Sequence, residues 1–510
     1  MGKKDKVKKK DKSQDTAEQD AAASIERLEE GELLSMDDAI AILKTTRPTF
    51  YRWLKAGKIR GHKVGRQWRF YPEDIQRFLK GQAPRVEVHG DIQPLIDNLL
   101  QTLGQAADEA NLPETSDDVE RAIDLILAAA VQRRASDIHL HPSRHKDTAD
   151  RQAELRFRVD GVLHTQATFD GRVLPGLLGR LKSRGGCDIN EHAQPQTGRF
   201  ETTLLNRSLD ARLCFLPSHR GETLTLRLIR QDNVHLELDA MGFAQSDLER
   251  IQRHIHQPYG LVIFAGPPGC GKTTTAYSAL HEIANDALKI MTLESVVEFA
   301  LPFAVQVPAR QDPLANAQAI ANSDPDVVFL GVSDFDIPEL ARLKAEMAST
   351  GHLVFTQRHA PSAAAALRDL LALGVGDFLL AQATRLVVAQ RLVRRLCPHC
   401  RKPAEPDGEQ MWRAGELAAA GGLDWEGTEK NFHQPVGCDA CNYGYRGHML
   451  IAETLEITPD VAAVLRSAGE AKDIQAAAVA NGMTTMAADG IARAARSETA
   501  LEEVLRALAI

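Results

Sequence analysis

Gly266-Pro267-Pro268-Gly269-Cys270-Gly271-Lys272-Thr273 lies between an apolar run, Leu261-Val262-Ile263-Phe264-Ala265, and a helix-like stretch from Thr274 to Ala284. A buried strand, a glycine-rich turn and a helix in that order read as a phosphate-binding loop. Gly266, Gly269 and Gly271 allow a turn tight enough for backbone N–H groups to converge on phosphate oxygens, and the following helix presents the positive end of its dipole. On this reading Lys272 reaches the β and γ phosphates, Thr273 ligates Mg2+, and Thr274 opens the helix beside them. The stretch predicts an α/β nucleotide-binding core.

The rest of the chain is long enough to surround that core. At 510 residues there is room for three or more domains. The formal net charge of −8 gives no global nucleic-acid signature, so any basic surface has to be local. Four of the seven cysteines fall in two pairs, Cys397-Pro398-His399-Cys400 and Cys438-Asp439-Ala440-Cys441. Four thiolates make the soft tetrahedral set that structural Zn2+ prefers, and a closed set leaves no open position for chemistry. Four unmetallated thiols are the other reading. No charge-free apolar run approaches the roughly 20 residues that cross a bilayer, and the lysine-rich start is not followed by an apolar signal core. The expectation is a cytoplasmic protein.

Residues 1–30 open with Lys3, Lys4, Lys6, Lys8, Lys9, Lys10 and Lys12 and cannot bury a core, so a solvated tail is expected. Residues 31–82 differ. Met36 to Leu43 and Thr49 to Leu54 have helical apolar spacing, Ile59 to Phe70 reads as a short ribbon, and Pro72 to Leu79 as a third helix. Leu34-Ser35-Met36-Asp37-Asp38-Ala39, Thr49-Phe50-Tyr51-Arg52-Trp53-Leu54-Lys55-Ala56-Gly57-Lys58-Ile59 and Lys63-Val64-Gly65-Arg66-Gln67-Trp68-Arg69-Phe70 resemble the winged helix-turn-helix domains of excisionases. The resemblance implies that Arg47, Thr49, Tyr51 and Arg52 face the major groove of DNA, with Lys63, Arg66 and Arg69 of the wing near phosphates. A module retained for docking protein is the open alternative. Residues 83–115 read as a helical linker.

From residue 116 the chain resembles the assembly ATPases of type II secretion systems and type IV pili. The likeness is carried by Ala135-Ser136-Asp137-Ile138-His139-Leu140-His141-Pro142, Cys187-Asp188-Ile189-Asn190-Glu191, Pro195-Gln196-Thr197-Gly198-Arg199, Asp210-Ala211-Arg212 and Leu216-Pro217-Ser218-His219-Arg220-Gly221-Glu222, and it continues to the C-terminus. It implies a multidomain α/β protein: a mixed-sheet, PAS-like domain at 116–240, a RecA-like P-loop domain at 241–395, a tetracysteine zinc subdomain at 396–450 and C-terminal helices at 451–510. It further implies ATP and Mg2+ as ligands, Arg199 and Arg212 as a clamp on phosphate, a homohexamer, and partners in an inner-membrane secretion or pilus platform.

The chain departs from that family where chemistry is expected. The family's Glu-Asp-Pro segment reads here Glu294-Ser295-Val296-Val297-Glu298; Glu294 is expected to orient the attacking water. After the strand Val327-Val328-Phe329-Leu330-Gly331 the family has a Walker B glutamate, whereas this chain has Val332-Ser333-Asp334. Asp334 is the shifted candidate, and a displacement of about 1 Å at a reacting group can cost about a hundredfold in rate. His352 and His359 match the family's histidine box; His359 is the candidate γ-phosphate sensor. Two functions follow: an ATPase driving secretion or pilus assembly, weakened by its divergent Walker B, or a degenerate nucleotide-binding scaffold or DNA-binding regulator.

Overall fold

In the computed structural model, which describes residues 33–55, 59–65, 67–79, 90–104, 117–143, 151–205, 207–230, 237–309, 312–332 and 337–509, Ser35 sets the first element. Its hydroxyl accepts from the Asp38 amide at 3.3 Å while the Asp38 carboxylate accepts from the Ser35 amide at 3.1 Å, and this reciprocal cap opens the helix Met36–Ile42. The tail at 1–30, residues 83–89 and 105–115 of the expected linker, and the site candidates Arg66 and Asp334 lie outside the described residues. The chain divides into two units, Met1–Asp232 and Asn233–Ile510.

The helices Met36–Ile42, Arg47–Lys55 and Pro72–Leu79 surround a small antiparallel sheet of β1 (Leu34–Ser35), β3 (Gln67–Phe70) and β2 (His62–Val64), in that order. Ala39, Phe50, Leu54, Ile59, Phe70 and Ile75 close a core of their own, with the Phe50 and Phe70 rings edge to face at 5.1 Å. Gly61 has to be glycine here, since a Cβ would lie 2.8 Å from the Phe70 ring.

The larger part of the first unit is a six-stranded sheet in the order β6 (Val162–Asp170), β5 (Gln152–Val159), β4 (Ala135–Ser143), β9 (Gly221–Arg230), β8 (Arg207–Ser218), β7 (Gln196–Leu204). Alternation along β5 buries Ala153, Leu155, Phe157 and Val159 against the helices Asp118–Gln132 and Leu174–Arg184. All its strand pairs are antiparallel, which corrects the mixed sheet implied by resemblance. The expected linker also contributes to this core. Leu95, Ile96, Leu99 and Leu103 give the helix Gln93–Leu103 an apolar face, buried in the same core as the helix Asp118–Gln132.

The second unit is built on seven strands in the order β12 (Ala304–Pro308), β11 (Ile290–Glu294), β13 (Val327–Gly331), β14 (Leu353–Arg358), β10 (Gly260–Ala265), β15 (Thr384–Leu396), β18 (Tyr445–Glu456). All but β18 run parallel, so their C-terminal ends share one edge. Every residue of β10 is buried, with Leu261, Ile263 and Ala265 packed in one apolar core and Val262 and Phe264 in another. The two short strands β16 (Lys402–Pro403) and β17 (His433–Gln434) pair within the cysteine-bearing insert. The expected boundary at 450 falls inside β18, which pairs antiparallel with β15 and carries the sheet into the C-terminal helices.

Glu453 on β18 ties those helices to the sheet. One carboxylate oxygen accepts from the Ala363 amide at 2.7 Å and the other from the Met486 amide at 2.9 Å, at the starts of the helices Ala363–Ala372 and Met486–Ala495. Burial pushes its pKa up, and the two amides pull it down. Glu453→Ala removes both caps together and should lower the unfolding free energy of the full chain by about 2–4 kcal/mol, at about 1–2 kcal/mol per cap. Urea denaturation measures this, and a loss below about 0.5 kcal/mol would show that water serves both helix starts equally well.

Candidate functional site

The strand β10 ends at Ala265 and the chain turns at once. Gly266 has φ +145°, and a Cβ there would lie 2.5 Å from both the Cys270 sulfur and the Gln390 carbonyl oxygen. Gly271 has φ +92° immediately before the helix Lys272–Ile283. The loop is fastened from beneath by Gln390 of β15, which is fully buried. Its Nε2 donates to the Cys270 carbonyl at 2.9 Å, and its Oε1 accepts from the Thr275 hydroxyl at 2.9 Å.

Within this frame Lys272 is only 6% exposed, and its Nζ donates to the carbonyls of Gly266 and Pro267 at 2.8 and 2.9 Å. His359, just past β14, places Nδ1 3.3 Å from that ammonium. Thr273 accepts from Gln357 Nε2 at 3.0 Å, and Thr274 is half-buried at the helix start. Cys270 is buried, and burial pushes its thiol pKa up. A loop of this shape, with an ammonium and a helix N-terminus together, can hold a phosphate chain.

Glu294 ends β11 on the same sheet edge. It is 2% exposed and accepts from the Thr292 hydroxyl at 2.6 Å, from Gln306 Nε2 at 3.2 Å and from the Tyr277 hydroxyl. Burial raises its pKa, against the pull of these three donors, and the charge of Glu298 adds to the rise. Burial and then the Glu294 charge raise the Tyr277 pKa as well. At the position of the family's Walker B glutamate, Val332 is fully buried in the apolar core. His352 precedes β14 and lies at its other end, with Nδ1 3.1 Å from the Met347 carbonyl oxygen, so the structure separates it from His359.

Arg199 and Arg212 belong to the first unit, where they are cross-strand partners on β7 and β8. Both guanidinium groups meet Asp210, Arg199 at 2.7 Å and Arg212 at 3.5 Å. In the winged domain Tyr51, Arg52 and Lys63 are exposed. Arg47 lies 3.4 Å from Asp37, the Thr49 hydroxyl oxygen lies 3.0 Å from that of Thr46, and Arg69 donates to Gln67 at 2.8 Å.

The four paired cysteines converge. Their sulfurs all lie within 4.8 Å of one another, with Cys397–Cys438 at 3.9 Å, Cys400–Cys441 at 3.7 Å and Cys438–Cys441 at 3.6 Å. Tetrahedral sulfurs about 2.3 Å from a zinc ion stand about 3.8 Å apart, so the set could hold such an ion. The amides of Gly437 and Cys438 donate to the sulfurs of Cys400 and Cys441 at 3.3 and 3.2 Å. Beside this knuckle the Arg394 guanidinium lies 4.0 Å above the Tyr445 ring and donates to Glu503 at 2.7 Å.

Sequence reasoning missed Gln357, Gln390, Gln306 and Tyr277. The available signal was a polar side chain interrupting an apolar run, as Gln390 does after Leu386-Val387-Val388-Ala389.

The family model described as Type II/IV secretion system protein matches residues 113–506, and a Helix-turn-helix domain model matches residues 33–83. The chain is 36% identical over 406 residues to the type II secretion system protein E of Dickeya dadantii (strain 3937), covering 78% of each chain. It is 32% identical to the type IV pilus assembly ATPase PilB of Myxococcus xanthus (strain DK1622), over 85% of this chain and 75% of that one. Its fold is similar to that of the ATPase DotB of Yersinia pseudotuberculosis, with a TM-score of 0.57 at 18% identity over 79% of this chain and 96% of that one.

Glu503 gives the knuckle region a pH signature. Burial alone would raise its pKa, but the bonds from Arg506 and Arg394 outweigh burial and hold it at about 2, against an ordinary value of 4.5. The stabilisation is therefore complete above the ordinary value and is lost as pH falls towards about 2. Amide exchange in the helix Leu501–Leu508 should quicken across that window while β10 stays protected, and Glu503→Gln should abolish the step; equal acid response in both elements would count against it.

Proposed function

The chain belongs to the type II/IV secretion system protein family, and we propose from that premise that it is an ATPase whose hydrolysis of Mg2+-ATP drives secretion or pilus assembly through a membrane complex. The observation that carries this reading is the buried Lys272 ammonium inside the loop Gly266–Thr273, with Glu294 and His359 on the same edge of the parallel sheet. Lys272 holds the β and γ phosphate oxygens, and Thr273 offers its hydroxyl to the cation, which when bound neutralises charge across those oxygens. Glu294, with a pKa raised by burial, orients the attacking water and receives its proton. His359 reads the γ-phosphate from beside Lys272, Asp334 serves as the displaced Walker B acid, and Arg199 and Arg212 complete the clamp.

In this reading six copies form a ring at the cytoplasmic face of an inner-membrane platform. Attachment there is peripheral in this reading, and among the described residues no helix is long and apolar enough to cross a membrane. Purified protein should bind and hydrolyse ATP and sediment as a hexamer with nucleotide. Lys272→Ala should weaken ATP binding at least tenfold, since a charged hydrogen bond contributes about 1.5–3 kcal/mol, and Asp334→Ala should lower turnover without that loss of binding. An unmodified protein that binds no ATP would end the reading; one that binds without turnover would be a nucleotide-gated scaffold.

Zn2+ in the tetracysteine knuckle is the structural metal of this reading. About one zinc ion per chain is expected by elemental analysis. Chelation should open the 396–450 region to protease, and unchanged resistance would refute a structural zinc.

The winged domain adds a DNA contact through Arg47, Thr49, Tyr51, Arg52, Lys63, Arg66 and Arg69, supported by the exposure of Tyr51, Arg52 and Lys63. Arg52→Glu with Arg66→Glu should abolish a salt-sensitive DNA shift. A shift that survives both changes would leave the domain as a protein-docking module.

A further inference from the structure

Along β14 the side chains alternate, and Leu353 and Phe355 lie in the apolar core that also holds Ala276, Tyr277 and Leu280 of the helix Lys272–Ile283. The next residue of that column is Gln357. A run that packs on the helix turns polar at one position, and there its amide nitrogen meets the Thr273 hydroxyl at 3.0 Å, with Gln357 only 8% exposed. Strand pairing fixes this position, since Gln357 is the register partner of Phe264, two residues before the loop begins. The amide of Gly266 also donates to the Arg358 carbonyl at 3.1 Å, so the loop is held to the strand end one residue past Gln357.

We infer that Gln357 is a positioning residue for the divalent cation, acting through Thr273. This inference rests on the Mg2+-ATP reading above. A threonine hydroxyl carries one proton and two lone pairs. The Gln357 N–H takes one lone pair and fixes the side-chain rotamer, which leaves the second lone pair and the proton for groups on the loop side. Because the amide is neutral, it orients the oxygen without adding a charge of its own. Among the described residues, Gln357 is the side chain that donates to the Thr273 hydroxyl.

The test is a Mg2+ titration of fluorescent ATP analogue binding, beside the affinity for the same nucleotide in excess EDTA. Gln357→Leu keeps the volume and removes the donor. It should raise the Mg2+ concentration for half-maximal binding by about fivefold, the equivalent of one ordinary hydrogen bond, while metal-free affinity stays within about twofold. In a Thr273→Ala background the same change should have no further effect on the Mg2+ midpoint. Gln357→Asn, too short to reach, should reproduce the shift if the leucine variant does not fold. An unchanged Mg2+ midpoint, or equal weakening with and without metal, would overturn the role of Gln357 and leave the ATP reading standing. An unmodified protein with no affinity in either condition would overturn both.

Discussion

A lysine ammonium that has been removed from water needs partners fixed in place before anything else can bind near it. Lys272 finds them in the carbonyls of Gly266 and Pro267, in a turn where Gly266 adopts a φ of +145° packed against Gln390. Desolvating a charge costs several kcal/mol, so the loop, the helix start and β15 must be placed together to within hydrogen-bond tolerance. The order of the parallel strands follows from the same need: it brings the ends of β10, β11, β13 and β14 to one edge. Glu294 and His359 reach that edge from strands that flank the loop on one side, and Gln390 reaches the loop from the other.

The neutral side chains around the loop divide the work with the charged ones. Gln390 and Thr275 fasten its floor, Gln357 holds Thr273, and Gln306 and Tyr277 orient Glu294. Each is a polar group in an apolar wall, and each would cost stability if left unpaired. Their pairing makes the site rigid without crowding it with charge. Glu294, by contrast, has a pKa set chiefly by burial, which keeps it more basic than a surface glutamate.

What could be read from the sequence was local. The glycine spacing of residues 266–273 fixes the loop, the helical apolar spacing of Met36 to Leu43 and Thr49 to Leu54 fixes the first domain, and two cysteine pairs fix the knuckle. What could not be read depends on partners far along the chain. That Arg199 and Arg212 share Asp210 is a matter of strand register, and that Gln390 closes the loop requires a contact across 120 residues. The helix Gln93–Leu103 looked like a spacer because its apolar face has no meaning until the helix Asp118–Gln132 is beside it. Asp334, the shifted Walker B candidate, lies outside the described residues, while Val332 is committed to the core.

The two ends of the chain differ in how freely evolution could exchange them. Residues 33–79 close their own core around Phe50 and Phe70, so a domain of this kind can be grafted or lost as a cartridge. The last sixty residues have no such independence. Glu453 starts one helix that follows the His359 loop and another that lies near the C-terminus, so a cut after β15 would strip a strand from the sheet and uncap the segment behind the P-loop's neighbour. A change at the front is contained within its own small core, whereas a change at the back reaches the sheet itself.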